Sequence, residues 1–143
     1  LDLDLPGSKV VVGEGPELDR LKARYPDAHF LGRQPVEDLA AIYASADVFV
    51  FPSRTDTFGN VIIEALASGT PVAAYPVTGP IDIVGDGIGG VVDDDLRKAA
   101  LGALDVSRAA ALAKASSYTW TSCAEQFLDT VREALRRGAT AQP

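Results

Sequence analysis

Apolar residues in this chain come in short unbroken runs, separated by polar stretches and by segments with helical spacing. Residues 9–12 (Lys-Val-Val-Val) and 48–51 (Val-Phe-Val-Phe) show no polar alternation, the pattern of strands covered on both faces in a parallel sheet. The first run stops at Gly13, and Pro16 stands where proline suits the start of a helix predicted over residues 17–25. Residues 29–31 read as extended and are closed by Gly32. Leu39, Ile42 and Tyr43 mark the apolar face of a helix over residues 36–45. A further helix spans residues 60–68, with Gly69 placed to end it in a left-handed conformation before a strand over residues 70–75. Residues 79–86 hold one helical turn and residues 90–92 a short strand. Asp93, Asp94 and Asp95 cap a helix running to about residue 104, and residues 107–116 and 121–137 are helical. Strand and helix alternate, so the expected fold class is α/β, a Rossmann-like, doubly wound parallel sheet. Residues 1–137 are expected to form one domain and residues 138–143 a flexible tail.

In open sheets of this class ligands bind beyond the carboxyl ends of the strands, near helix N-termini. That points to the loops at residues 13–16, 32–35, 52–60 and 75–81. The helix over residues 60–68 is the most informative. Glu64 is its single charge, among Val61, Ile62, Ile63, Ala65, Leu66 and Ala67, and a helix apolar on nearly every side is expected to be buried. A carboxylate there must be hydrogen-bonded, paired or open to a cleft. It lies about 6–8 Å along the axis from the first free amides of the helix. Those amides can hold phosphate oxygens while Glu64 accepts hydrogen bonds from the two vicinal hydroxyls of a ribose. The alternatives are pairing with an internal Arg or Lys, or plain solvent exposure. Gly59 allows close backbone approach to a ligand and Asn60 is a natural N-cap, although Phe58-Gly59-Asn60 also reads as an ordinary helix cap. Asp56 can accept hydrogen bonds from sugar hydroxyls or simply form a turn.

Composition narrows the classes. The chain has 143 residues with 13 basic and 20 acidic side chains, a net charge of −7, which disfavours nucleic acid as a partner. A single cysteine, Cys123, excludes an internal disulfide and fits a cytoplasmic location. His29 is the one histidine, there is no methionine, and no apolar run approaches the roughly 20 residues a membrane span needs. The chain therefore reads as a piece of a longer polypeptide. His29 reads as structural, Trp120 and Cys123 as packing residues, and Asp93, Asp94 and Asp95 as a helix cap rather than a metal site.

Residues 52–72, Pro-Ser-Arg-Thr-Asp-Thr-Phe-Gly-Asn-Val-Ile-Ile-Glu-Ala-Leu-Ala-Ser-Gly-Thr-Pro-Val, resemble the signature block of the retaining, GT-B-fold glycosyltransferases of family 4. The resemblance extends to Val11-Val12-Gly13-Glu14-Gly15-Pro16, to Phe30-Leu31-Gly32-Arg33 and to the strand over residues 46–53, and covers residues 9–135. It implies the C-terminal, donor-binding half of a GT-B fold, with the first strand and helix partly missing. It also implies transfer of a hexose from a GDP- or UDP-linked donor to an acceptor hydroxyl, with retention of configuration and without a metal or other cofactor. The two signature acids would be Asp56 and Glu64, eight positions apart. Glu64 would bind the donor ribose, Asp56 the transferred sugar, and Phe58, Gly59, Asn60 and Val61 the diphosphate. Leu31, Gly32 and Arg33 would meet the base, with Gly13 and Gly15 in the adjoining turn; Arg33 or Arg54 would supply positive charge, or they are simply exposed surface arginines. Residues 79–82 occupy a further donor-side loop.

The first signature acid is commonly glutamate, and the Asp-Thr-Phe-Gly-Asn form resembles a mannosyltransferase-like branch. The family's upstream Arg and Lys and its N-terminal acceptor domain have no match here. The fragment alone is expected to be inactive, and any contact with a membrane surface to run through the missing half. A nucleotide-sugar epimerase or phosphorylase on the same fold is the nearer alternative, and a non-catalytic α/β binding module the more distant one. A receiver-like module would need an aspartate at the end of a central strand, where this chain has Pro52 and Ser53.

Overall fold

The computed structural model describes residues 1–55 and 57–140, without the side chains of residues 138–140. The chain runs β1 (Val10–Val12), α1 (Leu18–Arg24), β2 (His29–Gly32), α2 (Val36–Ser45), β3 (Phe49–Phe51) and α3 (Asn60–Ala67). It continues through β4 (Val72–Ala74), α4 (Thr78–Val84), β5 (Gly90–Val92), α5 (Leu96–Ala103), α6 (Arg108–Ala115) and α7 (Trp120–Thr140). Every described strand pair is parallel, as unbroken apolar runs require. The strands divide into two sheets, β1–β2 and β3–β4–β5, instead of forming one. The division falls where α2 carries the chain from β2 to β3, because β1 and β3 are not hydrogen-bonded to each other.

The core is built around β4, whose three residues are fully buried. Val72 and Ala74 face one layer with Tyr43, Phe51, Ile62, Leu66, Ile83 and Ala111, drawn from β3 and helices α2, α3, α4 and α6. Ala73 points the other way, against Leu96, Ala99, Ala100 and Ala103, with Leu3 and Leu5 packed on the rim. The alternation of the strand thus places helices on both faces. Three alanines let α5 lie close to the sheet. Helix α3 ends in a Schellman motif: Gly69 has φ +77°, its N–H bonds to the Leu66 carbonyl, and the Thr70 N–H reaches back to the Ala65 carbonyl at 2.9 Å. The acidic triplet is a cap, as expected. Asp95 accepts from the amides of Arg97 and Lys98, and Asp93 pairs with Lys98.

Helix α7 departs from expectation. Trp120 is 92% exposed and Cys123 is exposed, so neither is a packing residue. Apart from Ser122, every side chain described on this helix is exposed, and its apolar stripe of Phe127, Leu128, Val131 and Leu135 faces outward. The helix runs on to Thr140, into the stretch expected to be a tail, and residues 141–143 lie outside the described residues. No helix among the described residues is long and apolar enough to cross a membrane.

Candidate functional site

The loop after β3 delivers the chain to α3 through Gly59, whose φ of +85° and ψ of +64° are left-handed. The left-handed backbone calls for glycine, and a Cβ there would lie 3.0 Å from Ile62 Cδ1, which would have to give way. Gly59, and not Asn60 as the sequence suggested, is the N-cap, and it has no side chain with which to cap the helix. Asn60 is the first helical residue because Gly59 makes the turn on its own. The Gly59 carbonyl accepts the Ile62 N–H at 2.9 Å. The remaining amides of the first turn have no intrahelical acceptor, as at any helix start, and no side-chain oxygen of the described residues stands in their place. They carry the positive end of the helix dipole.

Glu64 lies one turn further on. The expectation that α3 is buried on nearly every side needs correction: Ile62, Ala65 and Leu66 are buried, whereas Asn60, Val61, Glu64 and Ala67 form an exposed stripe along the helix. Their spacing places them on one face, with Glu64 midway. Its carboxylate has no ion pair among the described residues, so the closed internal ion pair is absent there. Its charge is felt by Tyr43, whose phenol is held above its ordinary pKa first by burial and second by Glu64.

Phe58 is 46% exposed beside this helix start. Its carbonyl is approached by Gly79 in α4, where an added Cβ would sit 2.5 Å from the Phe58 oxygen. Gly79 and Pro80 are buried, so the start of α4 acts as a wall that holds the signature loop. Asp56 lies outside the described residues.

The second group of site residues gathers at the ends of β1 and β2. Gly13 donates its N–H to the Gly32 carbonyl at 2.8 Å, and both glycines have positive φ. The Gly15 carbonyl accepts the Leu18 N–H and so starts α1. Leu31 is 43% exposed, its carbonyl accepts from the Gln34 side chain at 2.6 Å, and Arg33 is exposed. Gly13, Gly15, Leu31, Gly32 and Arg33 are thus one cluster, and Phe58, Gly59, Asn60, Val61 and Glu64 another. Both stand at carboxyl ends of parallel strands, and no hydrogen bond joins them among the described residues. Two hollows lie elsewhere: one of about 400 Å³ between the N-terminal segment and the residues after α1, and one of about 340 Å³ under α2 that includes Leu31. Glu64 lines neither of these two.

One contact here was not legible from the sequence. The guanidinium of Arg54, just after β3, lies over the ring of Tyr75, just after β4, with 3.7 Å from Cζ to the ring centroid. No local pattern joins residues on two different strands, and only their shared position after adjacent strands hinted at it.

The sequence profile of the family described as glycosyl transferases group 1 matches residues 8–116. A GDP-mannose-dependent alpha-mannosyltransferase of Corynebacterium glutamicum is 42% identical over 137 residues, covering 88% of this chain and 33% of the relative. A D-inositol 3-phosphate glycosyltransferase of Corynebacterium kroppenstedtii is 35% identical over 130 residues, covering 79% of this chain and 28% of the relative. Among solved structures, AviGT4, a glycosyltransferase involved in avilamycin A biosynthesis, superposes with a TM-score of 0.68 at 21% identity, over 87% of this chain and 42% of that one. The lipopolysaccharide outer core galactosyltransferase WaaB gives 0.72 at 12% identity, over 89% and 41%. The α/β fold of the GT-B glycosyltransferases is thereby shared. The chain spans about a third of the length of these two sequence relatives.

Proposed function

Because this chain belongs to the group 1 glycosyl transferases, we propose that it is the nucleotide-sugar-binding half of a retaining enzyme that moves a hexose from a GDP- or UDP-linked donor to an acceptor hydroxyl. The observation that carries this reading is the start of α3: a left-handed glycine cap that offers no side chain of its own, and one turn further on an exposed carboxylate with no ion pair among the described residues. Backbone amides of Gly59, Asn60 and Val61 bind the diphosphate, and Glu64 accepts hydrogen bonds from the two ribose hydroxyls. Leu31, Gly32 and Arg33, with the turn at Gly13 and Gly15, take the base side, and Asp56 holds the sugar. When the glycosidic bond of the donor breaks, negative charge grows on the leaving diphosphate. Oriented amides stabilise that charge without reorganising at the moment of reaction. No metal or other cofactor is needed for this role. The C. glutamicum relative, named as GDP-mannose-dependent, favours GDP-mannose as the donor. An acceptor-binding domain in a longer protein supplies the second substrate.

Titration of UDP and GDP into the chain tests the site. Glu64→Ala and Gly59→Val are expected to weaken binding by about tenfold or more, the loss of a charged hydrogen-bond acceptor or of a close backbone approach. Unchanged affinity in both variants would refute the donor-site reading. With a protein that carries both halves, product analysis separates transfer with release of nucleoside diphosphate from donor epimerisation or phosphate-dependent cleavage.

A further inference from the structure

We propose that Arg54, held over the face of Tyr75, is the cation with which this domain itself grips the diphosphate of its ligand, and that Tyr75 positions it. This assignment rests on the donor-site reading above and adds to it a named side chain. Arg54 leaves the end of β3 and Tyr75 the end of β4, and these strands are hydrogen-bonded neighbours. The stack therefore bridges the mouths of two adjacent parallel strands, where α/β sheets place their ligands. The same loop that carries Arg54 ends at Gly59 and the first amides of α3.

What holds the arginine matters as much as where it is. Arg20, Arg24, Arg97 and Arg132 rest on carboxylates, and Arg108 donates to the carbonyls of Ala44 and Ala46. Each of those partners consumes donors and, in the ion pairs, cancels charge. Arg54 has no such partner among the described residues. The aromatic face fixes its guanidinium without taking its N–H groups, which lie at the rim of the planar fork. A cation restrained but not neutralised is suited to bidentate bonding with phosphate oxygens. The chain as a whole carries a net charge of −7, so a diphosphate needs positive potential supplied locally.

The test is a set of titrations of the chain with UDP and GDP, and with uridine and guanosine, at two salt concentrations. Arg54→Gln is expected to lower affinity for the diphosphates by about tenfold or more, to flatten their salt dependence, and to leave nucleoside affinity unchanged. Arg54→Lys, which keeps the charge without the planar fork, falls between. Tyr75→Phe binds as the unsubstituted chain does because the ring face remains, whereas Tyr75→Leu loses a few-fold of diphosphate affinity because the guanidinium is no longer held. Arg54 is exposed, so its variants keep the thermal midpoint. Diphosphate affinity unchanged in Arg54→Gln, or an equal loss for nucleosides and diphosphates, overturns the assignment. If Glu64→Ala weakens the diphosphates and Arg54→Gln does not, the arginine assignment alone falls. If the unsubstituted chain binds neither diphosphate, the donor reading falls with it.

Discussion

At Gly79 the protein gives up a side chain so that the start of α4 can touch the loop before α3. A methyl group there would meet the Phe58 carbonyl oxygen at 2.5 Å, with backbone on both sides and no flexible side-chain end to yield. Gly79→Ala is therefore expected to destabilise the fold by about 1–3 kcal/mol, the cost of overpacking, and to displace Phe58. Denaturant unfolding measures the first and nucleotide titration the second. A variant with unchanged stability and affinity would show that the two segments are not mutually fixed. Residue by residue, the sequence was informative where chemistry is local. Gly69 and Asp95 announced a helix stop and a helix cap through their own preferences, and both hold. At the start of α3 the sequence pointed to Asn60 as the cap, and the left-handed φ of Gly59 moved it one residue earlier. The Arg54 and Tyr75 contact had no local signature at all.

Apart from the end of α7, single elements were legible to within a residue or two because periodicity is strong over eight or ten positions, as α2 and α5 show. What periodicity could not supply was the outward face of α3. Val61 and Ala67 are apolar yet exposed, so the stripe around Glu64 was hidden among residues that normally mark a core. The same ambiguity made α7 look packed. A further link between elements is ionic: Asp86, in the turn after α4, pairs with Lys114 of α6 at 2.6 Å. The Lys114 ammonium, followed by the Ile88 N–H, holds the Asp86 carboxyl below its ordinary pKa. A depressed carboxyl stabilises the fold above its unfolded pKa of about 4 and loses that contribution as the pH falls through its lower folded value. Asp86→Asn is expected to cost less than about 1 kcal/mol at pH 7, because the carboxylate is half exposed and screened. It should also remove part of the decline in stability below pH 4. Thermal unfolding followed from pH 7 to pH 3 checks this, and identical acid limbs in the two proteins would refute it.

For the whole molecule, parallel α/β architecture was legible from the alternation of elements, but the division into two sheets was not, since pairing between distant strands leaves no local trace. The division coincides with an imbalance in burial. No residue before Tyr43 is buried, and every fully buried side chain among the described residues belongs to the later part of the chain. Regions with few buried apolar contacts open at lower free energy than the core. Amide hydrogen exchange is therefore expected to show two tiers, with β1 and β2 exchanging well before β3, β4 and β5, and uniform protection across all five strands would contradict this. On the proposed donor-site reading, the asymmetry gives a bound nucleotide a second task. A ligand touching both Gly32 and Gly59 acts as a clasp across the seam, and mass action predicts that saturating it at about a hundred times its dissociation constant adds about 2.7 kcal/mol. Slowed exchange at the weaker pair of strands would be the first sign that the clasp has closed.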